Sequence, residues 1–398
     1  MTDHHYDVVV VGGGINGVGV AQAAVAAGYS TLLLEKHSLA GGTSSKSSKL
    51  IHGGLRYLES YEFGLVRESL EERALLLKLA PELVHMQDFC VPLYEQTRRS
   101  PWLLRTGLSL YYLLSGLERD ARFATVPRRQ WDQLDGLLTD GLRAVFRYKD
   151  ARTNDALLTQ AVMRSAQSLG AELACPAKLH RVELSATGCH VTYKTGEWER
   201  NCTATVLVNA AGPWVNETVR LISPQSVIVP VELVQGTHIV LPESVSNMSG
   251  NYYYYVESTR DGRAIFIMPR DGGLVIGTTE TRYRANPDHV QPLHAEESYL
   301  LNVLHHYFPS LGHLGRADLA GSWAGLRVLP GGKGHAFHRS RETILQPDRN
   351  DRPRVLSIYG GKLTSYRATA EKVIARISPS LPAKKPVAST RELLLSPE

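Results

Sequence analysis

The chain has 398 residues, 43% of them hydrophobic and 21% charged, which is long enough for two domains with their own cores and too apolar for a disordered polymer. The formal net charge of +5 suits an anionic ligand or an anionic membrane surface and is too small to indicate nucleic acid. The four cysteines, Cys90, Cys175, Cys189 and Cys202, form no Cys-x-x-Cys pair and no Cys/His set with metal-ligand spacing, which predicts reduced thiols and no metal.

The opening MTDHHYD lacks the charged and apolar regions of a signal peptide, and no apolar run reaches about 18 residues, so a cytoplasmic protein without a transmembrane helix is expected. Residues 7–11 read as a buried parallel strand, an apolar run without alternation. Gly12-Gly13-Gly14-Ile15-Asn16-Gly17 follows, then a helix over 17–27 stopped by Gly28, then a strand over 30–34 ending at Glu35. This is one βαβ unit. A polar Gly/Ser-rich loop occupies 41–49, and amphipathic spacing predicts a helix over 61–79, stopped by Pro81.

Residues 101–117 form an apolar helical stretch flanked by Arg98, Arg99, Arg119 and Arg122. Another helix is predicted over 155–169, closed by Gly170, and an apolar strand over 205–209. Residues 252–256, 264–268 and 274–277 are strand candidates separated by Asp261-Gly262 and Asp271-Gly272, the sequence pattern of an antiparallel meander. A late strand over 355–359 runs into Gly360-Gly361-Lys362-Leu363-Thr364 and a helix to about 377, and the Pro/Ser/Lys-rich tail after Pro379 is expected to fray. No internal repeat is present.

Gly12-x-Gly14-x-x-Gly17 sits between a strand and a helix, where each glycine has a physical task. The first permits the tight turn, the second lets backbone approach a pyrophosphate, and the third lets helix and strand pack closely. The helix N-terminus offers N–H groups and a positive dipole end to phosphates. Glu35, closing the second strand about 20 residues on, can accept hydrogen bonds from a ribose. The motif predicts a dinucleotide without separating NAD from FAD.

The stretch TSSKSSKLIHGGLRYL at 43–58, with the N-terminal βαβ unit and GGKLTSYR at 360–367, resembles the FAD-dependent glycerol-3-phosphate dehydrogenases of the D-amino-acid-oxidase-like flavoproteins. VNAAGPWV at 208–215, GTHIV at 236–240, GTTE at 277–280 and AGLRVLP at 324–330 match the same family, so the resemblance runs from Tyr6 to about Ile377. It departs at Arg327-Val328, where the family has Arg-Pro, and in stopping where the family's C-terminal helical domain would begin.

The resemblance implies a mixed α/β (α+β) fold: a Rossmann-like FAD-binding domain with a second, substrate domain built on an antiparallel sheet. The expected division is 1–85, 150–220 and 340–378 for the flavin, 86–149 and 221–339 for the substrate, and 379–398 as a tail. It implies noncovalent FAD held by Gly12, Gly14, Ile15, Asn16 and Gly17, by Glu35 and Lys36, and by Thr43, Ser44, Ser45, Ser48, Lys49, Leu50, His52 and Gly53. Ala211, Gly212 and Trp214 join these, as do Gly361, Lys362, Leu363 and Thr364, whose N–H groups would face the flavin ring.

The implied reaction is oxidation of sn-glycerol 3-phosphate to dihydroxyacetone phosphate, with hydride passing to flavin and electrons to membrane quinone. Alternatives are another phosphorylated polyol, a hydroxy or amino acid, or a flavin-binding protein without turnover. Arg56, Arg327 and Arg341 are candidates for the substrate phosphate, since guanidinium forks match its oxygens; Arg339 competes with Arg341 for that position. Tyr57 is expected to position substrate. The catalytic set is His238, Lys362 and Arg327. His238, with an ordinary imidazole pKa near ~6.5, is the first choice as base, and Lys362 is its rival. Residues 101–117 are read either as a core helix or as an interfacial one, with Trp102, Tyr111 and Tyr112 near headgroups on the inner face of the cytoplasmic membrane. A homodimer is left open.

Overall fold

The valines at 8–11 leave the first strand no polar face, and the computed structural model, which describes residues 4–246, 248–270, 272–331 and 343–397, buries all four. Strand His4–Val11 pairs in parallel with Thr31–Leu34 on one side and Trp198–Asn209 on the other. Glu172–Ala174 and Val355–Tyr359 extend the parallel core at its two edges. Trp198–Asn209 is long enough to serve two neighbours on one edge, Cys189–Thr195 antiparallel to its first part and Val355–Tyr359 parallel to its end.

Helices Ile15–Ala26, Asp155–Ser168 and Tyr366–Ile377 cover one face of this sheet, where Val18, Leu158, Val162, Met163 and Val373 join Val8 and Val10 in one apolar cluster. The first helix starts at Ile15 because Gly14, rather than Gly17, is its N-cap. It sits close to the last helix, since a Cβ on Gly19 would lie 2.7 Å from the ring of Tyr366.

In the second sheet, Val231–Leu241 lies antiparallel to both Gly273–Gly277 and Gly321–Pro330. Ala264–Arg270 and Tyr252–Glu257 follow antiparallel, the meander expected from the sequence, and Gly262 takes the positive φ of +74° that its turn requires. Asp271 of the second turn lies outside the described residues. The sheet is mixed, not purely antiparallel, because Tyr252–Glu257 pairs in parallel with Val84–Tyr94, which pairs antiparallel with Leu142–Thr153. Helix His294–Tyr307 packs on one face, and Phe63–Leu79 and Pro101–Leu114 on the other. The short strand Leu50–Ile51 adds to Leu142–Thr153, so the chain enters this sheet directly from the Ser-rich loop.

Two expectations are corrected. Tyr111 is not at an outer surface: it is fully buried, while Trp102, Leu103 and Leu113 of the same helix are exposed. Ser100 caps this helix, its hydroxyl accepting from Leu103 N at 3.2 Å, with Pro101 in the first turn where no N–H is missed. The tail after Pro379 does not fray. Val387 N donates to Ala26 O at 2.8 Å, Leu395 N donates to Leu79 O at 2.7 Å, and the Leu395 side chain is buried in the first core. No described helix is long and apolar enough to cross a membrane.

Candidate active site

The glycine turn is as tight as its spacing demands. Gly12 has φ +111°, and a Cβ there would meet Ala210 O at 2.6 Å; a Cβ on Gly17 would lie 1.8 Å from Gly12 O. Glu35 reaches back over the turn, its Oε2 accepting from Gly13 N at 2.7 Å and its Oε1 from His37 N at 2.8 Å. Ser44 Oγ accepts from Ile15 N at 2.9 Å, which brings the Ser-rich loop against the helix N-terminus. Thr43 Oγ1 donates to Leu326 O at 2.8 Å and so ties that loop to the second sheet. Lys36 pairs with Asp288 at 2.6 Å and lies 3.9 Å from the centre of the Trp214 ring.

A cleft of about 740 Å³ lies between the two sheets. Gly12, Gly14, Ile15, Asn16, Glu35, Lys36, Thr43, Ser44, Ser48, Leu50 and His52 line it, with Ala211, Gly212 and Trp214 on one wall and Gly361, Lys362, Leu363 and Thr364 at one end. Gly17, Ser45, Lys49 and Gly53, expected at the cofactor, do not line it. Gly17 is consumed by helix–strand contact, and Ser45 Oγ donates to Gly42 O at 3.3 Å. The Lys49 ammonium is ion-paired with the fully buried Asp155, which also accepts from Ser47 Oγ at 2.7 Å. Gly53 N is turned toward Tyr111. Asn16 donates through Nδ2 to Gly360 O at 3.2 Å, while its Oδ1 is buried with no hydrogen-bond partner among the described residues.

A smaller cavity adjoins one end of the cleft and shares Ser48, Leu50, His52, Tyr57, Thr278 and Arg327 with it. Its own lining adds Arg56, Arg263, Tyr255 and Glu280. Arg327 and Arg263 converge on Glu280: Arg327 Nη1 donates to its Oε1 at 2.9 Å, and Arg263 Nη1 donates to its backbone oxygen at 3.0 Å. Lys362 Nζ stands 4.0 Å from the centre of the Tyr57 ring. Arg341 and Arg339 lie outside the described residues.

His238 comes from the middle of strand Val231–Leu241, opposite Gly277 and Trp323 in the ladder. A Cβ on Gly277 would lie 2.2 Å from His238 Cδ2, so the ring takes space that only glycine leaves. The imidazole stacks on Trp323 with centroids 5.1 Å apart, its Nε2 is 2.9 Å from Ser48 Oγ, and its Nδ1 finds no partner among the described residues. Burial, helped by the charges of Arg327 and Lys49, pushes its pKa down to about 3. The ordinary imidazole pKa expected from sequence is therefore corrected. At neutral pH the ring is uncharged, the form that can accept a proton, but holding that proton is costly.

Sequence reasoning missed Asp155, Asp288, Arg263 and Glu280. Asp155 was visible only as the start of a helix, Glu280 only as the last letter of GTTE, and Arg263 only as the residue after a turn. Asp288 carried no local signal, because its partner lies 252 residues away.

A family model described as "FAD dependent oxidoreductase" matches residues 7–371. The chain belongs to this family. Among relatives of this FAD-dependent oxidoreductase, a glycerol-3-phosphate dehydrogenase of Pseudomonas aeruginosa is 37% identical over 381 residues, spanning 94% of this chain and 72% of the relative. A D-erythritol 1-phosphate dehydrogenase of Brucella abortus is 35% identical over 381 residues, spanning 94% of this chain and 74% of the relative. Among solved structures, the glycerol-3-phosphate dehydrogenase from Bacillus halodurans complexed with FAD superposes with a TM-score of 0.79 at 28% identity, covering all of this chain and 68% of that one. The cofactor of the family is FAD, and the glycine turn, the N-terminal end of the first helix and the cleft that they line fit that group.

Proposed function

We propose that this FAD-dependent oxidoreductase oxidises sn-glycerol 3-phosphate to dihydroxyacetone phosphate, the electrons passing on to membrane quinone. The observation that carries the reading is the small cavity bordered by Arg56, Arg263 and Arg327, which opens onto the cofactor cleft beside His238. Guanidinium groups there offer the forked donors that a phosphate takes. Bound FAD supplies the hydride acceptor.

The protein's own groups do the rest. The substrate hydroxyl proton needs an acceptor as the carbinol C–H is lost, and in this reading neutral His238, whose Nε2 is 2.9 Å from Ser48 Oγ, takes it. Lys362 is the rival base; left protonated, it steadies the developing negative charge. Asn16 Oδ1, an acceptor in want of a donor, suits a hydroxyl-bearing chain in the cleft. The reading gives Glu35, at the glycine turn, to the ribose and Ser44, at the helix N-terminus, to the pyrophosphate end.

Glu280 favours a second reading within the same chemistry. A carboxylate in the wall of the smaller cavity, held by Arg327, can accept hydrogen bonds from additional polyol hydroxyls, which suits a longer phosphorylated polyol. The test is anaerobic addition of substrate to the yellow protein while following flavin absorbance. Bleaching by submillimolar glycerol 3-phosphate supports the proposal. Bleaching only by a four-carbon polyol phosphate moves the assignment to that substrate, and bleaching by neither, with FAD bound, rejects both.

A further inference from the structure

The substrate loop begins at His52 and Gly53 and carries Arg56 and Tyr57 into the short helical turn Leu55–Ser60. Two adjacent peptides fix its start. The His52 N–H donates to Thr364 Oγ1 at 3.1 Å, which ties it to the segment at the end of the cofactor cleft. The Gly53 N–H donates to Tyr111 Oη at 2.8 Å, on a helix that contributes nothing else to either cavity.

The Tyr111 hydroxyl is itself fixed. It lies 2.8 Å and 3.0 Å from the two carboxylate oxygens of Asp150, donating to one of them. Arg73 Nη1 donates to Asp150 Oδ1 at 2.6 Å, and all three side chains are buried. The cluster therefore joins helix Phe63–Leu79, helix Pro101–Leu114 and strand Leu142–Thr153 at one point, and it reaches the loop through the Gly53 peptide. Only glycine permits that approach, since a Cβ on Gly53 would meet Tyr111 Oη at 2.4 Å and Leu70 at 2.6 Å. Gly54, the next residue, takes φ +78° to turn the chain into the helical segment. The Gly53 peptide lies three residues before Arg56, so its plane bears on where that residue enters the cavity.

We propose that Tyr111 is a positioning residue: its hydroxyl, locked by Asp150 and Arg73, orients the Gly53 peptide and so sets where Arg56 and Tyr57 stand in the substrate cavity. This rests on the reading of that cavity as the phosphate-binding site. Loss of the hydroxyl leaves Gly53 N with only a 3.4 Å contact to Asp150 Oδ1.

The test uses the FAD-loaded full chain. Tyr111→Phe keeps the ring in its packing and leaves the Arg73–Asp150 pair whole. Leu108→Ala, one turn before Tyr111 on the same buried face, serves as the control for general loosening of that packing with the hydroxyl kept. Two readouts are taken. Without any substrate, amide exchange over residues 50–58 should quicken by about tenfold in Tyr111→Phe, the loss of roughly one buried hydrogen bond, and stay near native in Leu108→Ala. With glycerol 3-phosphate, KM should rise roughly tenfold in Tyr111→Phe while kcat changes less than threefold. Native exchange over 50–58 in Tyr111→Phe, or equal quickening in Leu108→Ala, overturns the positioning role. Quickened exchange in a protein that never turns over the substrate instead upholds the tether and counts against the functional reading alone.

Discussion

At the scale of single residues, His238 sets the terms of the site. A fully buried imidazole whose pKa is pushed down to about 3 stays neutral in the folded chain where the unfolded chain would protonate it. Between about pH 6.5 and pH 3 the unfolded state therefore binds more protons, so stability falls as pH falls through that window and is unaffected by this group above it. From pH 7 to pH 5 the single histidine should remove on the order of 2 kcal/mol. Denaturant unfolding of the native protein and His238→Gln at the two pH values checks this. The variant should lose that much less on acidification, and parallel losses would show that the imidazole titrates in the fold as it does in the unfolded chain. The sequence marked His238 through GTHIV, but what makes it neutral lies elsewhere in the chain. Trp323, Gly277 and Ser48 enclose the ring from three separate segments, and none of them is close to it in sequence. Glu280 and Arg263 escaped for the same reason, since their meaning depends on Arg327, which comes from a distant strand to pair with Glu280.

At the scale of elements, periodicity served well wherever a local rule decided the outcome. The valine run, the glycine turn, the helix start at Pro101 and the 252–277 meander are all short-range patterns, and each was legible. The strands Val84–Tyr94 and Leu142–Thr153 were not, because their burial does not alternate and their pairing spans a whole helix. Helix Pro101–Leu114 shows the limit most clearly. Leu104, Leu108 and Tyr111 face the core while Trp102, Leu103 and Leu113 face out, so both stripes are apolar and composition cannot say which is buried. The outward stripe, with Arg105 exposed beside it, supports a contact with an anionic membrane in the proposed delivery of electrons to quinone. Because Trp102 and Leu103 are exposed, replacing both by glutamate should leave the unfolding midpoint unchanged while weakening binding to anionic phospholipid vesicles by at least about tenfold. Vesicle co-sedimentation decides the matter: undiminished binding by the double variant would place the contact on another face.

At the scale of the whole molecule, the cleft exists because two sheets built from interleaved segments meet along the chain crossings at 43–52, 210–214, 236–238 and 360–364. The last of these crossings depends on the C-terminal segment. Arg367, the second residue of helix Tyr366–Ile377 and buried, pairs with Glu72 on helix Phe63–Leu79, and its Nη1 also donates to Thr390 Oγ1 at 3.0 Å. The tail that composition marked as fraying thus completes a buried charge cluster, and beyond it Leu395 fills the first core while Lys384 pairs with Asp7. Its polar composition concealed this, because the contacts are made mainly by backbone N–H groups, one threonine and one leucine rather than by an apolar stripe. Removing residues 381–398 should expose Leu395's site, worth about 1.5–3 kcal/mol, and take a hydrogen-bond partner from buried Arg367, worth about 1–3 kcal/mol. The unfolding midpoint of the FAD-loaded protein should drop by roughly 5 °C or more on truncation, read by flavin fluorescence on heating. Thr390→Val should reproduce part of the drop, because it leaves the tail docked while removing the acceptor from Arg367. If truncation left the midpoint unchanged, the tail would be resting on the domain without supporting it, and the position of the 360–364 segment would have to be set by the sheet alone.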